Sequence, residues 1–200
     1  MKNIIQQSIQ KGINYSTYRQ LIIDLLKEGK STGTTENPEY LQFSELNNSR
    51  MNRLDKTIKI LESHQNQLKN LSTKITFLII SEGWCGDAAQ IVPVLNKLAN
   101  CSETIDFKIV IRDENLELMD LFLTNGNRAI PLLLIIDTET GELIAKWGPR
   151  PKVASKMVLD YKTLHGALDA DFKIQLQNWY NADKGVEIQN EVMNLLKQLF

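Results

Sequence analysis

The sequence has few cysteines, no excess of charge of either sign and no long apolar run. Two of its 200 residues are cysteine, Cys85 and Cys101, which excludes a small secreted domain held together by several disulfides. The 23 basic and 24 acidic side chains nearly balance, which excludes the strongly basic surface of a nucleic-acid-binding protein. The longest apolar runs, Phe77–Ile80 and Ile130–Ile136, are far shorter than the roughly 20 residues of a membrane-spanning helix.

The composition of the sequence is that of a globular protein, with 42% hydrophobic and 24% charged residues. The first residues, MKNIIQQSIQKG, contain no continuous apolar stretch of the kind found in signal peptides. We therefore expect a cytoplasmic protein with reduced thiols and without nucleic-acid or membrane partners. His64 and His165 stand alone, and neither a paired metal-ligand spacing nor a glycine-rich phosphate loop is present. We expect neither a metal nor a cofactor.

Residues 1–72 have the periodicity of helices and are expected to form an N-terminal helical extension. Ser16 is a candidate N-cap for a second helix that Gly29 ends, and residues 30–38 are polar enough to form a loop. A single one-sided helix is expected to follow, packed on its own domain, with a coiled-coil strand as the alternative. The first helix carries Ile4, Ile5, Ile9 and Ile13, and the last carries Met51, Leu54, Ile58, Leu61, Leu68 and Leu71.

Residues 73–150 change to a pattern of strands alternating with helices, which indicates a mixed α/β layout. Two strands at the end of this region flank a turn and are expected to form a hairpin. Residues 151–200 return to helical periodicity, with apolar stripes that begin at Val153, Phe172 and Val186. The expected strands and helices are, in order, Ile75–Ile80, Ala88–Ala99, Ile105–Ile111, Asn115–Leu123, Leu132–Ile136 and Glu142–Trp147.

The stretch EGWCGDAAQIVP, residues 82–93, places Cys85 after a strand and at the start of a helix. A helix N-terminus carries roughly half a positive charge, and its free N–H groups stabilise an anion. This position predicts that the pKa of Cys85 lies below the value of about 8.5 of a free cysteine. A thiolate is the form that attacks disulfides, and Gly86 lets the backbone turn beside it.

These residues resemble the active turn of the thioredoxin superfamily, W-C-G-P-C. Trp84, Cys85 and Gly86 match it, and Pro93 matches the proline that follows within the helix. Two later segments, RAIPLLL at residues 128–134 and GELIAKWG at residues 141–148, resemble the family's R-G-I-P-T-L-L-L segment and the strand and glycine after it. The resemblance covers about residues 73–165. It implies a thioredoxin-like mixed sheet flanked by helices. Outside the matched motifs, residues 166–200 are expected from their helical periodicity to form C-terminal helices packed on that domain.

The resemblance also implies a role for each matched residue. Cys85 would be the attacking thiol, and Trp84 would shield it and offer an apolar docking surface. Pro131 would be preceded by a cis peptide bond and stand against the cysteine, while Ile130 would pair its backbone with an extended substrate. Gly86 and Asp87 complete the expected binding site.

The chain departs from the family pattern in the turn and in the strand before it. Ala88 replaces the second active cysteine, so the mixed disulfide cannot be resolved by a neighbouring thiol. Ile79 stands at the position of the family's buried acid. Asp87 replaces the family's proline, and a carboxylate this close raises the pKa of the thiol. We interpret Asp87 as a helix cap that forms a capping box with Gln90, with a catalytic acid as the alternative.

The remaining polar residues near the motif have simpler interpretations. Glu82 is expected to be a solvated charge at the end of a strand. Arg128 is expected to form a structural ion pair, Asp87 being one candidate partner, with contact to an anionic partner as the alternative. Cys101 lies roughly 20 Å from Cys85 if the helix between them is continuous, so it is a buried apolar residue and not a resolving thiol.

Two functions from different classes follow from this pattern. The first is a monothiol thiol–disulfide oxidoreductase, in which Cys85 reacts with a disulfide-containing protein or a low-molecular-weight thiol and an external thiol releases it. The second is a redox-inactive binding module that recognises a peptide or protein partner through Trp84, Ile130 and Pro131. The retained W-C-G turn favours the first, and the lost second thiol favours the second. A third interpretation is that Cys85 is a packed thiol without a function. Separately, the helical extensions are candidates for the interface of a homodimer.

Overall fold

The computed structural model describes residues 1–34 and 37–200. Thr35 and Glu36, inside the expected loop at residues 30–38, lie outside the described residues. The described part of residues 1–72 forms four helices, each of which contributes buried side chains to one core shared with the central sheet. They are α1 (Lys2–Lys11), α2 (Tyr15–Lys27), α3 (Pro38–Thr57) and α4 (Glu62–Lys69).

The first two helices begin and end at residues other than those expected. Asn14 and not Ser16 caps α2, because its side chain accepts a hydrogen bond from the Thr17 amide at 2.8 Å. Ile13 lies outside α1 and pairs antiparallel with Ile109, with both backbone hydrogen bonds formed. That bridge covers part of the outer edge of the sheet, which limits edge-to-edge association.

The expectation of one continuous helix from Met51 to Leu71 is wrong, because the chain is extended at Ile58 and re-enters a helix at Glu62. Ile58 and Ile60 bury their side chains in the core across this break. The backbone groups freed by the break find tertiary partners. Lys97 donates to the carbonyl oxygen of Ile58, and the amide of Leu61 donates to the side chain of Gln189, both at 2.9 Å.

The central sheet has four strands in the order β2-β1-β3-β4, which confirms the expected mixed α/β layout. β1 runs parallel to β2 and antiparallel to β3, and β3 and β4 form the expected hairpin. Every residue of β1 is buried, as expected for a short apolar run at the centre of a sheet. The elements are β1 (Ile75–Ser81), α5 (Gly86–Ala99), β2 (Ile105–Ile111), α6 (Leu116–Asp120), β3 (Leu132–Asp137) and β4 (Leu143–Trp147).

The chain ends in three further helices, α7 (Lys152–His165), α8 (Ala170–Asp183) and α9 (Val186–Leu196). Both α3 and α9 pack on α5, so the two helical ends of the chain meet on the helix that carries the W-C-G turn at its start. The protein therefore has a mixed sheet flanked by helices, with helical regions at both ends. No helix in the described part is both long enough and apolar enough to cross a membrane.

Candidate functional site

The sulfur of Cys85 stands where β1 passes into α5, against the loop before β3. Cys85 is the N-cap of α5, and its Sγ accepts a hydrogen bond from the Ala88 amide at 3.5 Å. The same sulfur lies 3.5 Å from the carbonyl oxygen of Ile130 and donates to it. The Ile130–Pro131 peptide bond is cis, as the resemblance implies. The structure thus brings Cys85, Ile130 and Pro131 together.

The thiol of Cys85 is buried, with 8% of the residue exposed. Burial and the nearby Asp87 carboxylate raise its pKa to about 12, against the smaller stabilising effects of the Ala88 and Asp87 amides and of Arg150. The expectation of a lowered pKa is therefore wrong. The pKa is raised because the free energy lost by removing the thiolate from water is larger than the stabilisation that the start of the helix provides.

Asp87 is buried and belongs to a three-residue polar cluster. Its carboxylate accepts a hydrogen bond from the Tyr180 hydroxyl at 2.9 Å and forms an ion pair with Arg150 at 2.6 Å. Burial and the adjacent carboxylate raise the pKa of Tyr180 well above its usual value. The cluster connects the turn to α8 and to the segment after β4.

The interpretation of Asp87 as a helix cap is wrong, because Cys85 occupies the capping position. Gln90, the other member of the expected capping box, donates instead to the side chain of Gln177 at 2.9 Å. Arg128 does form an ion pair, but with Asp120 at 2.6 Å and not with Asp87.

Trp84 is half-buried and packs against two side chains of its own chain. Its ring stacks on Tyr40 with centroids 4.3 Å apart, and the Arg112 guanidinium carbon lies 4.8 Å from the ring centroid. Its indole Nε1 is buried without a hydrogen-bond partner among the described residues. Part of the expected docking surface is therefore already covered by the start of α3.

Glu82 is fully buried, so the expectation of a solvated charge is wrong. Its carboxyl accepts hydrogen bonds from the Thr32 hydroxyl and from the Asp113 amide. Burial raises the pKa of Glu82 to about 7 despite these bonds. Thr32 also accepts from the Gly83 amide, so the loop after α2 is fixed to the end of β1.

Two side chains outside the W-C-G motif lie over Gly86. A side chain at this position would begin 3.6 Å from Nε2 of Gln177 on α8 and 3.8 Å from Nη1 of Arg50 on α3. Arg50, Gln177 and Tyr180 were missed from the sequence because they are far from the turn along the chain. Tyr180 lies on the apolar stripe that begins at Phe172, and such a stripe predicts a core residue and not a hydroxyl bound to Asp87.

Cys101 is half-buried and lies beyond the opposite end of α5 from Cys85. Its sulfur donates to the carbonyl oxygen of Lys97 at 3.3 Å, and both thiols are free. His165 stacks on Tyr161. Within residues 1–34 and 37–200, no three His, Cys, Asp or Glu side chains form a group able to hold a metal ion.

A mixed sheet in which a cysteine starts the helix after the first strand and faces a cis proline defines a thioredoxin-like protein. The family model described as Thioredoxin matches residues 34–165, and the chain belongs to that family. The matched range includes α3 and α4 as well as the sheet. No curated protein matches the chain.

Two of the solved structures that resemble this chain illustrate the shared fold. One is the 1.5 Å crystal structure of a protein of unknown function from Pseudomonas aeruginosa, which is 16% identical with a TM-score of 0.61 and with 95% of each chain covered. The other is an HIV epitope scaffold, 16% identical with a TM-score of 0.56, covering 93% of this chain and 99% of the scaffold. At this identity both show the fold alone.

Proposed function

We propose that this protein is a thioredoxin-fold binding protein that recognises a peptide or protein partner and in which Cys85 remains a thiol. The observation that carries the proposal is the buried sulfur that donates to the carbonyl oxygen of Ile130. A thiol makes this contact, whereas a thiolate would face the negative end of the carbonyl dipole. Disulfide exchange requires the thiolate, so the contact stabilises the unreactive form.

The surroundings of Cys85 support the same function. Ala88 provides no second thiol, and the residue is almost fully buried. The carboxylate of Asp87, which disfavours a neighbouring thiolate, is held in place by Arg150 and Tyr180. Among the residues expected to bind a partner, Trp84 and Gly86 remain partly exposed, whereas Asp87, Ile130 and Pro131 are buried. We place the contact with the partner at the exposed residues and assign the buried ones to the support of the turn.

Monothiol exchange through Cys85 is the second candidate function, and one observation favours it. The amides of Ala88 and Asp87 and the charge of Arg150 all act to lower the pKa of the thiol. If the side chains over the turn moved away, the burial that opposes these groups would be relieved. The Cys85 thiolate would then attack one sulfur of a disulfide, forming a mixed disulfide and releasing the other sulfur as a thiol. An external thiol such as glutathione would attack the mixed disulfide at the substrate sulfur, forming a new disulfide with it and freeing Cys85.

The alkylation rates of the two thiols distinguish these functions. We expect iodoacetamide at neutral pH to modify Cys85 at least about tenfold more slowly than Cys101, because the reactive thiolate is scarce and buried. Mass spectrometry of the two cysteine-containing peptides over time measures both rates in one sample. Unfolding in urea is the control, and it should bring the two rates close together. A Cys85 rate above that of Cys101 in the folded protein would refute the binding proposal and support exchange.

A further inference from the structure

One face of α3 carries a stripe of four side chains, Phe43, Leu46, Arg50 and Arg53, here called the α3 stripe. Their spacing of three, four and three residues places them on one side of the helix. Phe43 is 38% exposed and Leu46 is 48% exposed. The stripe thus presents two large apolar side chains followed by two cations.

The two arginines of the α3 stripe bind neutral partners. Arg50 donates to the amide oxygen of Asn47 at 2.8 Å, and Arg53 donates to the amide oxygen of Asn181 at 2.7 Å. Neither forms an ion pair with a carboxylate of the described residues. Burial and repulsion by Arg53 lower the pKa of Arg50, and attraction by the nearby Asp87 offsets only part of this effect. An anion placed between them would relieve this repulsion.

Hydrogen-bond donors lie between the α3 stripe and the W-C-G turn. Gln177 accepts from Gln90 through its Oε1, which leaves its Nε2 beside Arg50 over Gly86. The start of α5 lies at the same place and favours negative charge. Asp87, the acid of the turn, forms its ion pair with Arg150 and only partly offsets the effects that lower the pKa of Arg50. Two donors, on Gln177 and Arg50, therefore lie within van der Waals distance of the Cβ position of Gly86, where the chain itself supplies no side chain.

We propose that the α3 stripe binds an acidic amphipathic segment of a partner protein. The apolar side chains of that segment would pack against Phe43 and Leu46, and its carboxylates would pair with Arg50 and Arg53. This inference rests on the proposed function and names the chemistry of its partner. The complementary charge decides the choice of partner, because a basic segment would be repelled by two arginines that form no ion pair with the described carboxylates. The exposed apolar pair adds buried area that a small free anion could not use.

The experiment uses two fluorescent peptides of equal length that share the same amphipathic helical pattern of apolar and charged positions. One consists of leucine and glutamate, and the other of leucine and lysine. Fluorescence anisotropy with the full chain measures both affinities at low salt. We expect the glutamate peptide to bind and the lysine peptide to bind at least about tenfold more weakly. The double variant R50Q/R53Q should weaken binding of the glutamate peptide about tenfold, and F43S/L46S should also weaken it.

The matched control is K56Q/K59Q, which removes two exposed cations near the end of the same helix but outside the stripe. It should change the affinity less than about twofold, since isolated surface charges contribute little. Circular dichroism verifies that each variant is folded. Equal binding of both peptides, or a loss in K56Q/K59Q as large as that in R50Q/R53Q, would overturn the docking surface. That result would leave the buried thiol and the alkylation test untouched, so the two proposals fail separately.

Discussion

The chemistry of single residues in the W-C-G turn depends on burial more than on their place in the helix. The start of a helix stabilises a nearby anion by up to about 2 kcal/mol. The rise in the pKa of Cys85 from 9.0 to about 12 corresponds to a penalty of about 4 kcal/mol on the thiolate. Desolvation therefore outweighs the helix dipole, and the pKa of the residue that the motif marks as a nucleophile is raised and not lowered.

Glu82 should make the stability of the protein depend on pH between about 4.5 and 7. Its pKa is 4.5 when exposed and about 7 when folded, so the folded state binds the proton more tightly. The contribution is complete below pH 4.5 and is lost as the pH rises through 7, by about 3 kcal/mol in total. Arg112 and Asp113 face the carboxyl with opposite effects on this pKa. Urea unfolding of the wild type at a series of pH values measures the loss.

Glu82→Gln is the control for this prediction, because it keeps the shape of the side chain and removes its proton equilibrium. All other titrating groups are common to both proteins, so the difference between their unfolding free energies isolates Glu82. We expect that difference to shift against the wild type as the pH rises. A difference that is constant from pH 4.5 to 7.5 would show that Glu82 does not retain its proton on folding.

The ends of helices and strands depend on tertiary contacts that periodicity does not record. The stripe from Met51 to Leu71 fits one helix, yet the break at Ile58 buries two isoleucines and satisfies the freed backbone through Lys97 and Gln189. These two partners lie on α5 and α9, far along the chain. A helical pattern therefore predicts which residues face the core, and it does not predict whether the helix is continuous.

Gly148, after the end of β4, should tolerate no side chain. Its φ is +126°, and a Cβ there would lie 2.4 Å from the carbonyl oxygen of Pro131. We expect Gly148→Ala to lower the free energy of unfolding by about 3 kcal/mol or more, since strain and a backbone clash combine. Urea denaturation followed by circular dichroism measures the change.

Gly126→Ala is the matched control, because Gly126 also has a positive φ, +76°, but has open space around its Cβ position. Gly126→Ala should lower the free energy of unfolding by only about 1 kcal/mol, because only the strain of the left-handed conformation is added. Equal losses in the two variants would contradict a close approach of Gly148 to the loop that carries Pro131.

At the scale of the whole molecule, helices from both ends of the chain share one core with the sheet. Ile5, Tyr18 and Met51 from the N-terminal helices and Ile188 and Val192 from α9 belong to the same buried cluster as β1. The cluster crosses the boundaries expected from the sequence, at residues 72 and 165. Those boundaries remain a prediction about how the chain is organised.

Unfolding should be a single cooperative transition, because a shared core couples the parts that it joins. The three tryptophans report on different places: Trp84 on the turn, Trp147 on β4 and Trp179 on α8. Variants that retain one tryptophan each, with phenylalanine at the other two positions, should show fluorescence transitions in urea that coincide with their circular dichroism. An earlier transition at Trp179 would instead show that residues 166–200 unfold as a separate unit.

The sequence by itself determined the family and the order of strands and helices in the sheet region. Short apolar runs such as Ile75–Ile80 and the W-C-G and Ile-Pro segments are local signals, set by residues close together in the chain. The cis bond before Pro131 and its approach to Cys85 followed from the same motifs.

The tertiary structure alone decided what surrounds the titratable groups of the site. Asp87 meets Arg150 and Tyr180, Glu82 meets Thr32, and Trp84 meets Tyr40, and in each case the partner is distant in the chain. Burial and the charges within a few ångströms set the pKa of a thiol or a carboxyl, and both depend on which distant segments pack over it. A local motif can therefore identify the turn, whereas only the packed helices determine whether its sulfur is reactive.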